Sequence, residues 1–445
     1  MNLGRDPLPL VSRKQVFRPG HVIEAAQAFV AIEASSGIVL VVAALAGLIW
    51  VNSPWADSYM SLWQSPVVLR TELFSFEEDL LHLVNDGLMT VFFFLVGLEI
   101  KRELVHGQLS NPRHALLPAV AALGGMVVPA LIYSAFNLRG PGANGWGIPM
   151  ATDIAFSLGV LSLLGTRVPF SAKVFLLALA IADDIGAVVV IAVFYTSNIH
   201  FEAVAICVLL ICLIVAFNRL GIRDVDVYLA IGLVLWLATY ESGVHATLAG
   251  VALGLLTPAR SLYRASDYPT TAATLLGGFQ DALSTANTDA QQALLAQTED
   301  LSRNTEAPLD RLERALHPWV SYGIVPVFAL ANAGVEISGP AIDRAVSSSV
   351  SQGVAVGLLM GKPLGIFLFT WVAVQTRACE LPASSSWGHI LGLGLLGGIG
   401  FTVSLLITGL AFDDALLIDE AKLGILSASI AAGVLGYIAL RLSRS

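Results

Sequence analysis

About twelve stretches of this chain stay predominantly apolar for the ~20 residues that a membrane-crossing helix requires, and that repetition limits the fold more than any single motif. They are centred near residues 40, 90, 125, 155, 182, 208, 232, 250, 326, 362, 399 and 430, and the one from Val244 to Leu256 is short. Hydrocarbon offers no water to backbone N–H and C=O groups, so each such stretch must satisfy its own hydrogen bonds as a helix. The chain therefore reads as an all-α polytopic membrane protein with about twelve transmembrane helices. Composition agrees: 13% of residues are charged and 56% hydrophobic, whereas soluble domains carry about 25% charged residues.

Placing the N-terminus inside puts Arg13, Lys14, Lys101, Arg102, Arg219, Arg223, Arg441 and Arg444 in the cytoplasm. The outer side then receives only Arg70, Arg139, Arg344 and Lys422, so the asymmetry of basic residues predicts both termini cytoplasmic. Residues 1–28 are a mixed polar tail without a signal-peptide core, and 29–445 read as a single transmembrane domain. Within it, 54–76 is a polar extracytoplasmic hairpin or surface segment and 258–316 a long cytoplasmic loop. The middle of that loop, rich in Ala, Gln, Thr and Asp, reads as partly helical or mobile. Its end, with Pro308, Leu309, Leu312 and Leu316, has the spacing of an amphipathic helix. A net charge of -9 with scattered basic residues excludes a nucleic-acid partner. Cys207, Cys212 and Cys379 have neither disulfide nor metal spacing and read as small core-filling residues.

Ionisable residues inside spans are costly and mark ion or proton pathways by default. Four places qualify: Asn85-Asp86, Thr152-Asp153, Asp183-Asp184 and Lys362. Adjacent helix residues point ~100° apart, so Asp183 and Asp184 cannot share one partner. Lys362 is the basic residue available at that depth, and one aspartate pairs with it. The other is then free to meet Asp153 and the Thr152 hydroxyl. Such oxygen ligands suit a hard alkali cation. Protons and cation compete for the same carboxylates, since burial favours the protonated form and a bound cation the ionised one.

Backbone breaks accompany these charges. Gly147 and Pro149 precede Thr152-Asp153, and Gly392, Gly394, Gly397, Gly398 and Gly400 crowd one later span. Both spans are expected to be interrupted, with half-helix ends facing each other near the midplane across an inverted-topology repeat.

The stretches "ATDIAFSLGVLSLLGTRVP", "LALAIADDIGAVVVIAVFYT", "SGVHATLAG", "GLLMGKPLGI" and "GGIGFTVSLLI" resemble the bacterial NhaA-type sodium/proton antiporters. "VNDGLMTVFFFLVGLEIKREL" and "RALHPWVSYGIVPVFALANAG" are similar to the same family, and the motifs run in family order from about residue 30 to about 440. Paired helix interruptions are themselves a hallmark of this family, so they count once with the resemblance.

The resemblance implies pH-regulated, electrogenic expulsion of cytoplasmic Na⁺ or Li⁺ in exchange for external protons, by alternating access in the bacterial inner membrane and without a cofactor. It implies Na⁺ at Asp184, Asp153 and Thr152, with Asp184 central, and a structural ion pair between Asp183 and Lys362. Asp86 matches a periplasm-facing carboxylate. Glu99, Arg102, Glu103 and Glu313 match charged residues associated with pH regulation at the cytoplasmic funnel, and His245 and His317 match family histidines. Residues 54–76 lie where members have a dimer-forming β-hairpin, which implies a homodimer. Arg314 departs from the histidine expected after Glu313, and the 258–316 loop is longer than in compact members. Of the rival readings, an intramembrane aspartyl protease needs aspartates on different helices and a Gly-x-Gly-Asp signature absent here. A cation channel needs a continuous wetted path, which a charge-compensated site between broken helices does not offer.

Overall fold

The computed structural model describes residues 19–70, 75–196 and 199–443. Helix α1 (Pro19–Val51) is followed by the short α2 (Ala56–Trp63), with a bend of 115° between them. Strands β1 (Pro66–Arg70) and β2 (Ser75–Asp79) then pair antiparallel, Pro66 opposite Asp79 and Arg70 opposite Ser75. The extracytoplasmic segment expected at 54–76 is thus a helix plus a hairpin that runs on to Asp79. Residues 1–18 of the N-terminal tail lie outside the described residues, and helix is already formed at Pro19.

Among the described residues, six helices are long and apolar enough to cross a membrane. They are α3 (Leu80–Val105), α4 (Pro112–Phe136), α6 (Phe170–Phe194), α7 (Phe201–Arg219), α15 (Ser349–Gln375) and α18 (Ala415–Leu442). A sharply bent pair, α16 (Trp387–Gly397) and α17 (Phe401–Ala411), passes the same test jointly. Other expected centres fall on shorter helices: α5 (Ile154–Ser162), α8 (Val225–Glu241), α9 (Thr247–Leu256), and α12 (Pro308–Trp319) continued by α13 (Val325–Asn332). A short α14 (Gly339–Ser347) precedes α15. The chain is a multi-pass helical membrane protein.

The long loop is more ordered than its composition suggests, because α10 (Tyr268–Ser284) and α11 (Thr288–Thr305) pack on each other as a helical hairpin. After it α12 begins with Pro308 in its first turn and buries Leu309 and Leu312, as the spacing predicts. Core-filling holds less well for the cysteines. Cys207 and Cys379 are half-buried, but Cys212 is exposed. It lies on α7, of which only 6% is buried inside the protein. An apolar neighbourhood in sequence does not distinguish protein core from lipid-facing surface.

Two helices are drawn together by the absence of side chains. A Cβ on Gly124 of α4 would strike the backbone of Gly365 on α15, and one on Gly365 would strike Gly124. Backbones this close are the use that membrane helices make of small residues. The contact fixes α15 beside α4 one turn beyond Lys362.

Candidate functional site

The site is built where two interrupted segments cross. The first is a ten-residue 3₁₀ stretch, Pro141–Met150, that gives way to extended backbone at Ala151–Asp153 before α5 starts. Runs of 3₁₀ helix longer than 3–4 residues are uncommon, and here the sequence PGANGWGIPM, with a proline near each end, keeps the stretch from becoming α-helix. The second break separates α16 from α17, which meet at 45°. Only Gly398, Ile399 and Gly400 lie between them, and a Cβ on Gly398 would meet the Leu358 carbonyl at 2.5 Å. Gly392 and Gly394 instead sit within α16, against Leu440 and Pro363. Three of the five clustered glycines therefore belong to the helix, and two to the unwinding.

Hydrogen bonds lock one break to the other. Asp153 N donates to the Ile399 carbonyl at 2.6 Å, Thr152 Oγ1 to the Gly397 carbonyl at 2.9 Å, and Ser157 Oγ to the Leu396 carbonyl at 2.8 Å. In return, Ser404 Oγ donates to the Ile148 carbonyl at 2.7 Å. Backbone groups orphaned by each interruption thus find partners in the other, as a buried break requires.

Asp153 caps two helices at once. Its Oδ1 accepts from Phe156 N of α5 at 2.9 Å, and its Oδ2 from Thr402 N and Thr402 Oγ1 of α17 at 3.1 and 2.7 Å. A carboxylate is favoured there because helix N-termini carry partial positive charge. Lys362 answers at the other end of the first break. Its Nζ donates to the Met150 carbonyl, the last of the 3₁₀ stretch, and to Asp183 Oδ2 at 2.6 Å. Lys362 is fully buried and Asp183 nearly so. It follows a π-helical turn, Gly357–Gly361, within α15.

Asp184, next on α6, faces elsewhere. It lines a narrow cleft of about 60 Å³ together with Glu99, Thr152, Asp153, Ser321 and Thr402. Cavities of that size hold a few waters or a partly dehydrated ion. No described residue donates a hydrogen bond to Asp184, although it is 7% exposed. The two adjacent aspartates therefore differ as helix geometry demands: one is held in an ion pair, and the other presents its oxygens to the cleft.

Carboxylates gathered at two crossed helix breaks beside a buried lysine are the pattern that the motifs announce. A family model described as Na⁺/H⁺ antiporter 1 matches residues 27–440. The chain belongs to this family. It is 47% identical over 418 residues to the protein named Na(+)/H(+) antiporter NhaA of Oleidesulfovibrio alaskensis, covering 93% of this chain and 92% of that one. It is 47% identical over 412 residues to the NhaA of Koribacter versatilis, covering 93% and 90%. With the NhaA of Rhodospirillum rubrum it shares 45% identity over 433 residues, covering 95% and 98%.

In this family member the remaining sequence-predicted residues divide between the two ends of α3. Arg102, near its C-terminus, pairs with Glu313 of α12, and Glu103 is half-buried beside it. Burial holds the Glu313 carboxyl above the usual carboxylate range despite the opposing pull of Arg102, and His317 lies close enough to act on its charge. Arg314 turns away and meets Glu306 Oε1 at 2.6 Å. Glu99 is not part of this group, since it lines the cleft one turn deeper. Asp86 lies at the other end of α3, about 24 Å away along the helix, in the π-helical turn Leu83–Leu88. His245 is near it, with Nε2 against the Tyr195 carbonyl. Among the described residues, no three His, Cys, Asp or Glu side chains form a metal cage.

Thr402 is the functional neighbour that sequence reasoning passed over. Its signal was its place, a hydroxyl residue two positions after Gly400, in the first turn of the half-helix that follows the glycines. Ser36 and Ser321 also line the cleft, and nothing in their sequence context marks them.

Proposed function

We propose that the chain is an electrogenic, pH-regulated exchanger that expels cytoplasmic Na⁺ or Li⁺ for external protons by alternating access across a bacterial inner membrane. Membership of an antiporter family makes it a transporter rather than an enzyme. Asp184 is the central cation ligand, with Asp153 and Thr152 completing the oxygen set. Asp183 and Lys362 form the structural pair that keeps the neighbouring charge compensated. The observation that carries this assignment is Asp184 itself, a buried carboxylate without a hydrogen-bond donor among the described residues, facing a cleft shared with Asp153 and Thr152. Twelve crossings with both termini cytoplasmic, and a homodimer formed through residues 54–76, complete the reading. Arg102, Glu103, Glu313, His317, Asp86 and His245 adjust the response to pH from the two ends of α3, and Glu99 does so from the cleft.

Competition between ions tests the proposal. If one carboxylate set binds Na⁺ and protons in turn, the apparent KM for Na⁺ in reconstituted vesicles rises by about tenfold per pH unit on the acid side. A KM that stays constant from pH 6 to 8.5 while the rate changes would refute shared ligands. Thr402→Val probes the support of Asp153, because it removes the hydroxyl donor and keeps the backbone one. A hydrogen bond to a charged group is worth about 1.5 kcal/mol, which corresponds to a roughly tenfold weaker apparent Na⁺ affinity. An unaltered affinity would mean that the hydroxyl does not set the position of Asp153.

A further inference from the structure

A second cluster of titratable groups lies over Asp86, at the end of α3 that carries the β-hairpin. His82 is one helical turn before Asp86. Its Nδ1 is 2.9 Å from Asp79 Oδ1 and 3.9 Å from Glu78 Oε2, and its backbone N–H donates to the same Asp79 oxygen at 2.7 Å. Glu78 is held from the far side by Tyr240 of α8, whose hydroxyl donates to Glu78 Oε1 at 2.5 Å. Asp86 has His82, His245 and Glu78 as its electrostatic neighbours, and Tyr240 has Glu78, Asp86 and Glu241. The cluster thus draws on β2, α3, α8 and the turn before α9.

Three features distinguish it from a patch that only staples the hairpin down. The His82 side chain is 61% exposed, so it exchanges protons freely with bulk water. Imidazole changes charge between pH 5 and 8, unlike the surrounding carboxylates. The backbone beneath is also loosened: the Asp86 carbonyl, inside the π-helical turn, accepts from both Thr90 Oγ1 and Trp236 Nε1 at 3.3 Å, the latter on α8. Single π turns inside α-helices are frequent at functional positions.

We propose that His82, poised by Asp79 and Glu78, is the outer-face proton donor to Asp86. In the step, the imidazolium N–H bond breaks and a water-relayed O–H bond forms on the Asp86 carboxylate. Neutral His82 then takes a proton from outside water, so charge and atoms balance. Asp79 and Glu78 stabilise the imidazolium, and Tyr240 fixes Glu78. His245, the other imidazole near Asp86, is only half-buried and is held by the Tyr195 carbonyl, whereas the His82 side chain is largely exposed. This inference rests on the antiport reading and adds to it a residue through which external protons enter.

The test uses the full-length protein in oriented proteoliposomes, with outer-face pH varied at fixed cytoplasmic-face pH and Na⁺. His82→Gln removes the solvent-exposed imidazole and leaves Glu78 and Asp79 as the partly exposed proton collectors, so the outer pH of half-maximal exchange moves down by about two units, from the imidazole towards the carboxylate range. The apparent KM for Na⁺ at the cytoplasmic face stays unchanged. Adding imidazole to the outer compartment restores the rate, which it cannot do for a purely structural loss. His82→Asn provides the same readout should the glutamine variant fail to fold. An outer-pH profile identical to wild type overturns the proposal, as does a loss that imidazole leaves unrestored in both variants. Failure of the antiport reading looks different: exchange would then be indifferent to Asp184 in the wild-type background.

Discussion

Replacing Lys362 by alanine is expected to cost about 3–5 kcal/mol of stability, the range seen when one partner of a buried ion pair is removed. The stranded partner is Asp183, which keeps its burial and loses the ammonium 2.6 Å from its Oδ2. The Met150 carbonyl loses its donor at the same time, so the end of the first helix break is left with an unsatisfied acceptor. Thermal unfolding in detergent, followed by size exclusion, reads the loss directly. Two further variants separate the causes. Asp183→Leu combined with Lys362→Met should recover most of the stability, because apolar replacement of a whole buried pair is often neutral or stabilising. Lys362→Arg keeps the charge but changes a compact ammonium into a planar fork, and should recover part of it. A Lys362→Ala protein as stable as wild type would mean that Asp183 is compensated by something other than this lysine.

Asp184→Asn is expected to do the opposite: to leave the fold intact and abolish exchange. Asparagine is nearly isosteric and neutral, so removing a buried charge without hydrogen-bond donors holds or raises stability. Exchange falls by about a hundredfold or more, equivalent to at least ~2.7 kcal/mol of lost cation binding. The readout is Na⁺-driven pH change in everted or reconstituted vesicles, with unfolding measured on the same preparation. Unimpaired exchange in the variant would overturn Asp184 as the cation ligand. Neighbouring aspartates thus give opposite phenotypes, with stability lost around Asp183 and transport lost at Asp184. That contrast discriminates the proposed site from a cluster of charges that only holds helices together.

Both phenotypes follow from how the chain reads before it folds. A side-chain period of 3.6 residues already separates Asp183 from Asp184, and the absence of any other basic residue at that depth already directs one of them to Lys362. The breaks were legible from Pro149 and the glycines. Their interlock was not, because the bonds from Asp153 N to Ile399 O and from Thr402 to Asp153 join residues about 250 positions apart. No periodicity encodes such a pairing. The position of Thr402 after the glycines marked a half-helix start, but its partner was not legible for the same reason: its role depends on which carboxylate the other break presents to it. Composition misjudged Cys212 and understated the order of α10 and α11. In the first case lipid and protein interior look alike in sequence, and in the second the packing of two helices on each other joins residues that composition does not connect.

The sequence by itself determined that this chain crosses a membrane many times and carries charge within its spans, while its motifs supplied the resemblance to cation/proton exchangers. Membrane crossing and the rarity of charge within it follow from the cost of placing polar groups in hydrocarbon, which acts on each segment separately and therefore shows in local composition. Only the tertiary structure decided that Asp153 caps two half-helices, that Asp184 is the carboxylate left facing the cleft, and that Glu99 lies with it rather than with Arg102 and Glu313. Those are outcomes of hydrogen-bond competition between distant segments, and a donor can be assigned to its acceptor only once folding has brought the two together.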